Sequence, residues 1–381
     1  MFQEQNAPLS KKLPFNSFFI LLLCALLTSA FPFAFGQFEV LYCYSFVIII
    51  LIHRKFDRSA LYFGMFTVTY LLFQILLNCF RGLEISFFQI IRTMSYFLVS
   101  LMIYAFVVRN CYIAHVFFRY ENWISGFIFI LLVIDILFGE RLYSASLLLD
   151  DGSGRFYVFS PMLFYLLLSL ALYEGRLIAL VYMALIMATL QKTLIICVFL
   201  LIPLLLLYRG KVLGYRKIVL IIILAFIPFL FFGSDLISRF QGFFVNGDNW
   251  RLNEVVVGLK VYSSSFFNII FGNGLGVPYR ELTVQIDSFE LPNRLAINMT
   301  YDVHNLFVDL LIKFGFIYLL AYFLFIFNIL KSLPSFFIIS CIAFFIVMGF
   351  SSPAVFHSID SLGFMFGLAL LVCKNNVAKL F

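Results

Sequence analysis

His304 stands in YDVHNLFVDLLIKFGF (Tyr301–Phe316), where a polar turn opens a long apolar run. An imidazole there can act as a base or hydrogen-bond partner at a water-accessible cleft, or bond backbone at an interface. Asp302 is placed to cap the helix expected over 303–330 and so satisfy its orphan amides. The positive end of that helix's dipole would then favour an anion beside it. Tyr301 and Asn305 share the turn and join His304 as candidate substrate contacts. Deeper in the same run, Asp309 and Lys313 are spaced i, i+4, so they share a face and can form a structural ion pair.

A second group of residues is cationic. Arg155 follows DDGSG, Lys192 sits in LQKT between two apolar runs, and Arg251, Arg280 and Arg294 fall in one polar stretch. Such residues suit phosphate, through charge and, for arginine, a planar fork of donors. Singly, each can also be a solvated or headgroup residue. Lys192 has apolar neighbours on both sides, which leaves a tight turn little room for a merely solvated cation.

Glycines at 272, 274 and 276 in FGNGLG permit positive φ and close backbone approach, as in a tight turn after an amphipathic helix. The stretch lacks the GK[ST] of a P-loop, and no strand precedes it. Asn298 heads a three-residue glycosylation sequon, a pattern common by chance.

The elements that must position these residues are set by composition. The chain has 381 residues, 64% of them hydrophobic and only 12% charged, with a mean hydropathy of +1.06. That much apolar surface calls for lipid as solvent. The net charge of +7 lies largely in short clusters between apolar runs, which argues against nucleic acid as a partner. The expected fold is all-α and polytopic, with about twelve transmembrane helices in a single domain over 1–381. The spans are expected at 15–35, 38–52, 59–78, 86–107, 122–138, 158–173, 177–190, 193–208, 217–233, 303–330, 334–350 and 359–373. Pro203 and Pro228 should kink two of them.

With the N-terminus inside, the clusters at Lys11–Lys12, Arg54–Arg58, Arg109, Arg176, Arg209–Lys217, Lys331 and Lys374 all fall inside. This is the positive-inside bias, with both termini cytoplasmic. Two outer segments are long, 139–157 and 234–302, and the second separates the ninth and tenth helices. Its aromatics, among them Trp250, Tyr262, Phe266 and Phe267, argue for a folded external loop with short helices against the membrane face. The seven cysteines form no CxxC pair and read as packing residues. No cluster of Asp, Glu or His has metal-ligand spacing, so neither metal nor cofactor is expected. No internal repeat is evident.

Trp250–Arg251, a short helix, GNGLG, a polar stretch, then His304–Asn305 entering a span with Gly315 further along resembles the O-antigen polymerase and O-antigen ligase superfamily. Those are bacterial membrane glycosyltransferases of the C type. GSGRF and LQKT resemble upstream stretches of the same family. The resemblance implies that Arg251 binds lipid pyrophosphate and His304 acts in glycosyl transfer. Lys192, and with it Arg155, would bind substrate, and Arg280 joins them as an outer-loop cation suited to phosphate. Lys192 stands where many members have an arginine, and the glycine pair that ligases tend to show after Gly315 is missing, since FIYLL follows. The donor implied is an undecaprenyl-pyrophosphate-linked oligosaccharide, at the outer face of the bacterial inner membrane. A chain-length regulator and a flippase are the implied protein partners. Such a leaving group is already stabilised, so fixed cations would suffice without a metal. Polymerase is the expected activity. A ligase moving polymer to lipid A core and a lipid-linked oligosaccharide flippase are the alternatives.

Overall fold

The computed structural model describes residues 56–83, 85–142, 161–188, 192–213, 255–256, 258–260, 262–277, 305–349 and 359–378. Among these residues all regular structure is helical. The helices are α1 (Arg58–Phe80), α2 (Phe87–Arg109), α3 (Tyr112–Leu142), α4 (Pro161–Glu174) and α5 (Ala179–Ala188). They continue as α6 (Lys192–Leu213), the short α7 (Phe266–Phe271), α8 (Leu306–Leu330), α9 (Ser335–Gly349) and α10 (Ile359–Ala378). The spans expected at 15–35, 38–52 and 217–233 lie outside the described residues, and each of the others coincides with a helix.

Of these, α1 and α8 are long and apolar enough to cross a membrane. Thr93–Arg109 and Tyr112–Ile130 also pass when taken as one span, bent by 97° at the break between α2 and α3. Large apolar side chains stay exposed along α1 and α8, among them Tyr62, Leu72, Leu76, Leu324 and Phe327. Water would penalise such a surface, whereas lipid does not.

The chain divides into two compact units. The first comprises Met1–Asp57, Leu98–Leu190 and Leu362–Phe381. Here α4 and α5 form a hairpin, with α5 also against α3. The hairpin turns at Gly175, which has φ 68°. Glu121 of α3 is buried and ion-pairs with Arg176 at that turn, while Tyr182 of α5 donates to Glu121 at 2.7 Å. Arg176 also meets Glu174 at 2.8 Å, and Lys374 of α10 meets Glu174 at 2.7 Å. Burial lowers the basicity of Arg176, but its bond to Glu121 and the charges of Glu121 and Glu174 outweigh that and raise its pKa. The Cys373 thiol of α10 donates to Val107 O at the end of α2. The ends of α2, α4 and α10 therefore share one end of this unit. The stretch 112–121, expected as part of an inside loop, is helical and continuous with the span that follows it.

The second unit comprises Arg58–Phe97 and Gln191–Ser361. Its centre is the packing of α1 on α8. Phe63 stacks on Phe325 with ring centroids 4.4 Å apart, Thr67 bonds Tyr318 at 3.0 Å, and Tyr70 donates to Phe314 O at 2.6 Å. Numbers rise on α1 as they fall on α8, so the two helices are antiparallel. Alongside, α9 packs against α6, with Tyr208 edge-on to Phe336 at 6.3 Å.

The start of α8 departs from expectation. It begins at Leu306 and its N-cap is Asn305, not Asp302. Asn305 is extended, with φ −142° and ψ 115°, and its side-chain oxygen accepts from Val308 N at 3.0 Å. Asp and Asn cap about equally well, so sequence alone cannot choose between two caps three residues apart.

Candidate functional site

The site is built around an interruption in α8. Gly315 has φ 73° and ψ −179°, a conformation foreign to a helix and open only to glycine. A break in an apolar span exposes carbonyl oxygens, and each one left unpaired in lipid costs several kcal/mol. The protein pairs them with its own main chain. Asn273 N donates to Ile312 O at 2.6 Å and Gly274 N to Lys313 O at 3.0 Å. The turn that fills the break is therefore FGNGLG.

Sequence dictates how this turn is made. Helix α7 is capped by Ser265, whose hydroxyl accepts from Asn268 N at 3.1 Å. Tyr262 ties down its far end by donating to Ile269 O at 3.0 Å. Helical geometry then stops at Gly272, and Gly272, Gly274 and Gly276 all have positive φ. A Cβ on Gly272 would lie 2.6 Å from Gly315 N, and one on Gly315 would lie 2.3 Å from Ile270 O. The two backbones touch, and only a pair of glycines allows it. A Cβ on Gly274 would lie 2.0 Å from the Asn78 amide nitrogen, and Ser86 N donates to Gly276 O at 2.9 Å. The expectation of a short helix in the long loop holds at α7. The turn after it, though, docks beside the break in α8, nine residues or about 14 Å along from Leu306.

A stripe on α1 completes the arrangement. Thr67, Tyr70, Gln74, Asn78 and Arg81 recur at helical spacing, so one face carries them all. The Gln74 amide donates to both Phe271 O at 2.5 Å and Lys313 O at 2.8 Å. Asn78 donates to Asn273 O at 2.8 Å, and Arg81 to Asn268 Oδ1 at 3.1 Å. These residues were not singled out from the sequence. The available signal was a run of polar side chains three and four apart inside an otherwise apolar span.

Within α8, Lys313 and Asp309 pair at 2.8 Å and are 2% and 0% exposed. The i, i+4 pair expected from the sequence is thus formed and buried, next to the break.

Helix register places further residues at the same end of this unit. A Cβ on Gly349, the last residue of α9, would meet the Phe307 ring at 2.6 Å, so the end of α9 meets the start of α8. Tyr208, near the end of α6, lies beside Phe336, at the start of α9. Arg155, Arg251, Arg280, Tyr301 and His304 lie outside the described residues. His304 is joined directly to the cap residue, and Arg251 precedes α7 in the chain.

Comparison with protein-family models, with curated proteins and with solved structures finds no match for this chain.

Proposed function

We propose that this protein is a membrane-embedded, metal-independent glycosyltransferase of the O-antigen polymerase type. It would join undecaprenyl-pyrophosphate-linked repeat units on the outer face of a bacterial inner membrane, with both termini cytoplasmic. The observation that carries the reading is the docking of FGNGLG into the break of α8, nine residues along from Leu306, where the helix starts behind its Asn305 cap. That geometry gives a physical reason for the order of motifs on which the resemblance rests. In sequence, Arg251 precedes α7 and its docked turn, and His304 adjoins the Asn305 cap. In this reading Arg251, Lys192, Arg155 and Arg280 take up the charge of the pyrophosphate leaving group. His304 receives the proton of the attacking sugar hydroxyl, while Tyr301 and Asn305 border the substrate. A chain-length regulator and a flippase would act with it.

One observation favours a different class, a flippase or transporter. Such proteins use broken helices whose freed carbonyls hold a coupling ion, and α8 is broken beside a buried ion pair. Here the carbonyls of Ile312, Lys313 and Phe314 are engaged by Asn273, Gly274, Gln74 and Tyr70. Each thus already has a donor from the protein, so the break needs no ion to satisfy it, which weighs against the transporter.

The test is purified protein in vesicles supplied with undecaprenyl-pyrophosphate-linked repeat units. Polymer on the lipid carrier is the expected product. Transfer only to lipid A core would make it a ligase, and movement of substrate without bond formation would make it a transporter.

A further inference from the structure

We propose that Arg81 is a further phosphate-binding residue of this site, contacting the pyrophosphate of the lipid-linked donor; the inference rests on the glycosyltransferase reading above.

The first support is that the residue is held in place before any ligand arrives. The C-terminus of α1 closes with Leu83 N bonded to Asn78 O at 3.1 Å and Gly82 N to Cys79 O at 3.1 Å, with Gly82 at φ 65°. This paired closure is a Schellman motif and fixes the backbone of Arg81. The guanidinium is then tied by one bond to Asn268 Oδ1 at 3.1 Å. Asn268 is itself buried, and its amide donates to Ser264 at 2.8 Å. A guanidinium has five donors, so one anchor leaves several for an anion. Among the described residues no carboxylate pairs with Arg81, which is exposed.

The second support is position. Gln74 of α1 bonds Lys313 of α8 at 2.8 Å, and the helices are antiparallel. Seven residues up α1 from Gln74 is Arg81, and seven back along α8 from Lys313 is Leu306. At 1.5 Å per residue both stand about 10 Å from that bond. Arg81 is therefore level with the first turn of α8, where the helix dipole also favours an anion. Its anchor, Asn268, belongs to α7, the element joined to the Gly-rich turn. An anchored guanidinium and a helix N-terminus thus share one level, and Asn268 ties that guanidinium to the element that leads into the break-filling turn.

The chemistry is that of a phosphate ester, and two sources could supply it, the donor's pyrophosphate or a bulk phospholipid headgroup. The experiment separates them. Undecaprenyl pyrophosphate binding is measured on wild-type protein, Arg81→Ala, Arg81→Lys and Asn268→Asp, in nanodiscs of neutral phosphatidylcholine alone. Retention of phosphatidylglycerol is measured on the same proteins in detergent. Arg81→Ala should weaken undecaprenyl pyrophosphate binding by about tenfold to a hundredfold. Arg81→Lys should recover part of the loss, because a point charge replaces the fork. Asn268→Asp keeps the size of the anchor and neutralises the guanidinium, so it should weaken binding without removing Arg81. Unchanged binding in neutral nanodiscs for Arg81→Ala would overturn the proposal and leave the transferase reading intact. A loss confined to phosphatidylglycerol retention would reduce Arg81 to a headgroup anchor and overturn it equally. Polymer synthesis by wild-type protein tests the underlying reading separately. Wild-type protein that neither makes polymer nor binds undecaprenyl pyrophosphate would remove both.

Discussion

Gly315→Ala tests whether the latch between α8 and the Gly-rich turn holds this unit together. The new Cβ would lie 2.3 Å from Ile270 O and 2.5 Å from Gly272 N. Both are main-chain atoms, so no side chain can rotate away. A non-glycine residue with positive φ and ψ near 180° costs about 1–3 kcal/mol by itself. Relief of the clash requires the turn to withdraw, which breaks the bonds from Asn273 N and Gly274 N to Ile312 O and Lys313 O. Each carbonyl stripped of its partner adds about 1–3 kcal/mol. The smallest combination is about 3 kcal/mol, equivalent to roughly a hundredfold in an equilibrium constant. The control is Gly64→Ala in α1, where a Cβ meets nothing within 4 Å. That substitution should be neutral or stabilising by up to about 1 kcal/mol through helix propensity. The assay is unfolding in detergent, with thiol labelling of Asn273→Cys reporting withdrawal of the turn. Equal unfolding and equal labelling in Gly315→Ala and Gly64→Ala would refute the latch.

Asp309→Leu leaves the Lys313 ammonium buried without its carboxylate and should destabilise the protein by about 3–5 kcal/mol, whereas the double change with Lys313→Leu should restore most of that; denaturation of the two variants measures the difference. Arg251→Ala should lower polymer synthesis about a hundredfold without unfolding the protein, and Arg251→Lys should recover only part. Replacing His304 by Ala should abolish polymer while lipid-linked single repeats accumulate, and His304→Gln, unable to take a proton, should do the same if the imidazole is a base; near-normal turnover in Gln would leave it an orienting role. Cysteines introduced at Asp151, Trp250 and Arg280 should react with an impermeant reagent added outside intact cells, and reaction only after permeabilisation would reverse the topology.

Periodicity and hydropathy located helices well and their partners poorly. The apolar runs at 59–78, 86–107 and 334–350 became α1, α2 and α9 with ends within a few residues, because a run of apolar residues bounded by polar ones leaves little choice in lipid. The start of α3 was missed. Its first turns hold Glu121, which is buried by pairing with Arg176, a residue 55 positions away, and by accepting from Tyr182. Local polarity marked that stretch as loop, and tertiary pairing made it helix. The buried Asp309–Lys313 pair was legible because both partners lie on one helix. The stripe from Thr67 to Arg81 was not, because its meaning depends on Phe271, Asn273, Lys313 and Phe314, some two hundred residues away in sequence.

The break in α8 and the glycines of the loop are one feature seen from two sides. In water an interrupted helix can leave its carbonyls to solvent. In a bilayer it cannot, so a span that breaks must bring its own donors. Side-chain donors supply some of them here, from Gln74 and Tyr70, but Ile312 and Lys313 receive main-chain amides. Where the two backbones come closest a Cβ on either would clash with the other, which is why Gly272 and Gly315 face each other. The consequence for function follows from the same constraint. A loop held through its backbone keeps its place whatever side chains it presents beyond the turn. In the glycosyltransferase reading, residues 281–300 could then vary to suit one sugar or another while α7, the turn and the start of α8 stay in register. Chimaeras should show this: exchanging 281–300 for a loop of different sequence should alter which acceptor is used. Exchanging Gly272–Gly276 should cost stability before it changes specificity. If a swapped Gly-rich turn altered acceptor choice in a fully stable protein, the turn would be part of the recognition surface and not its mount.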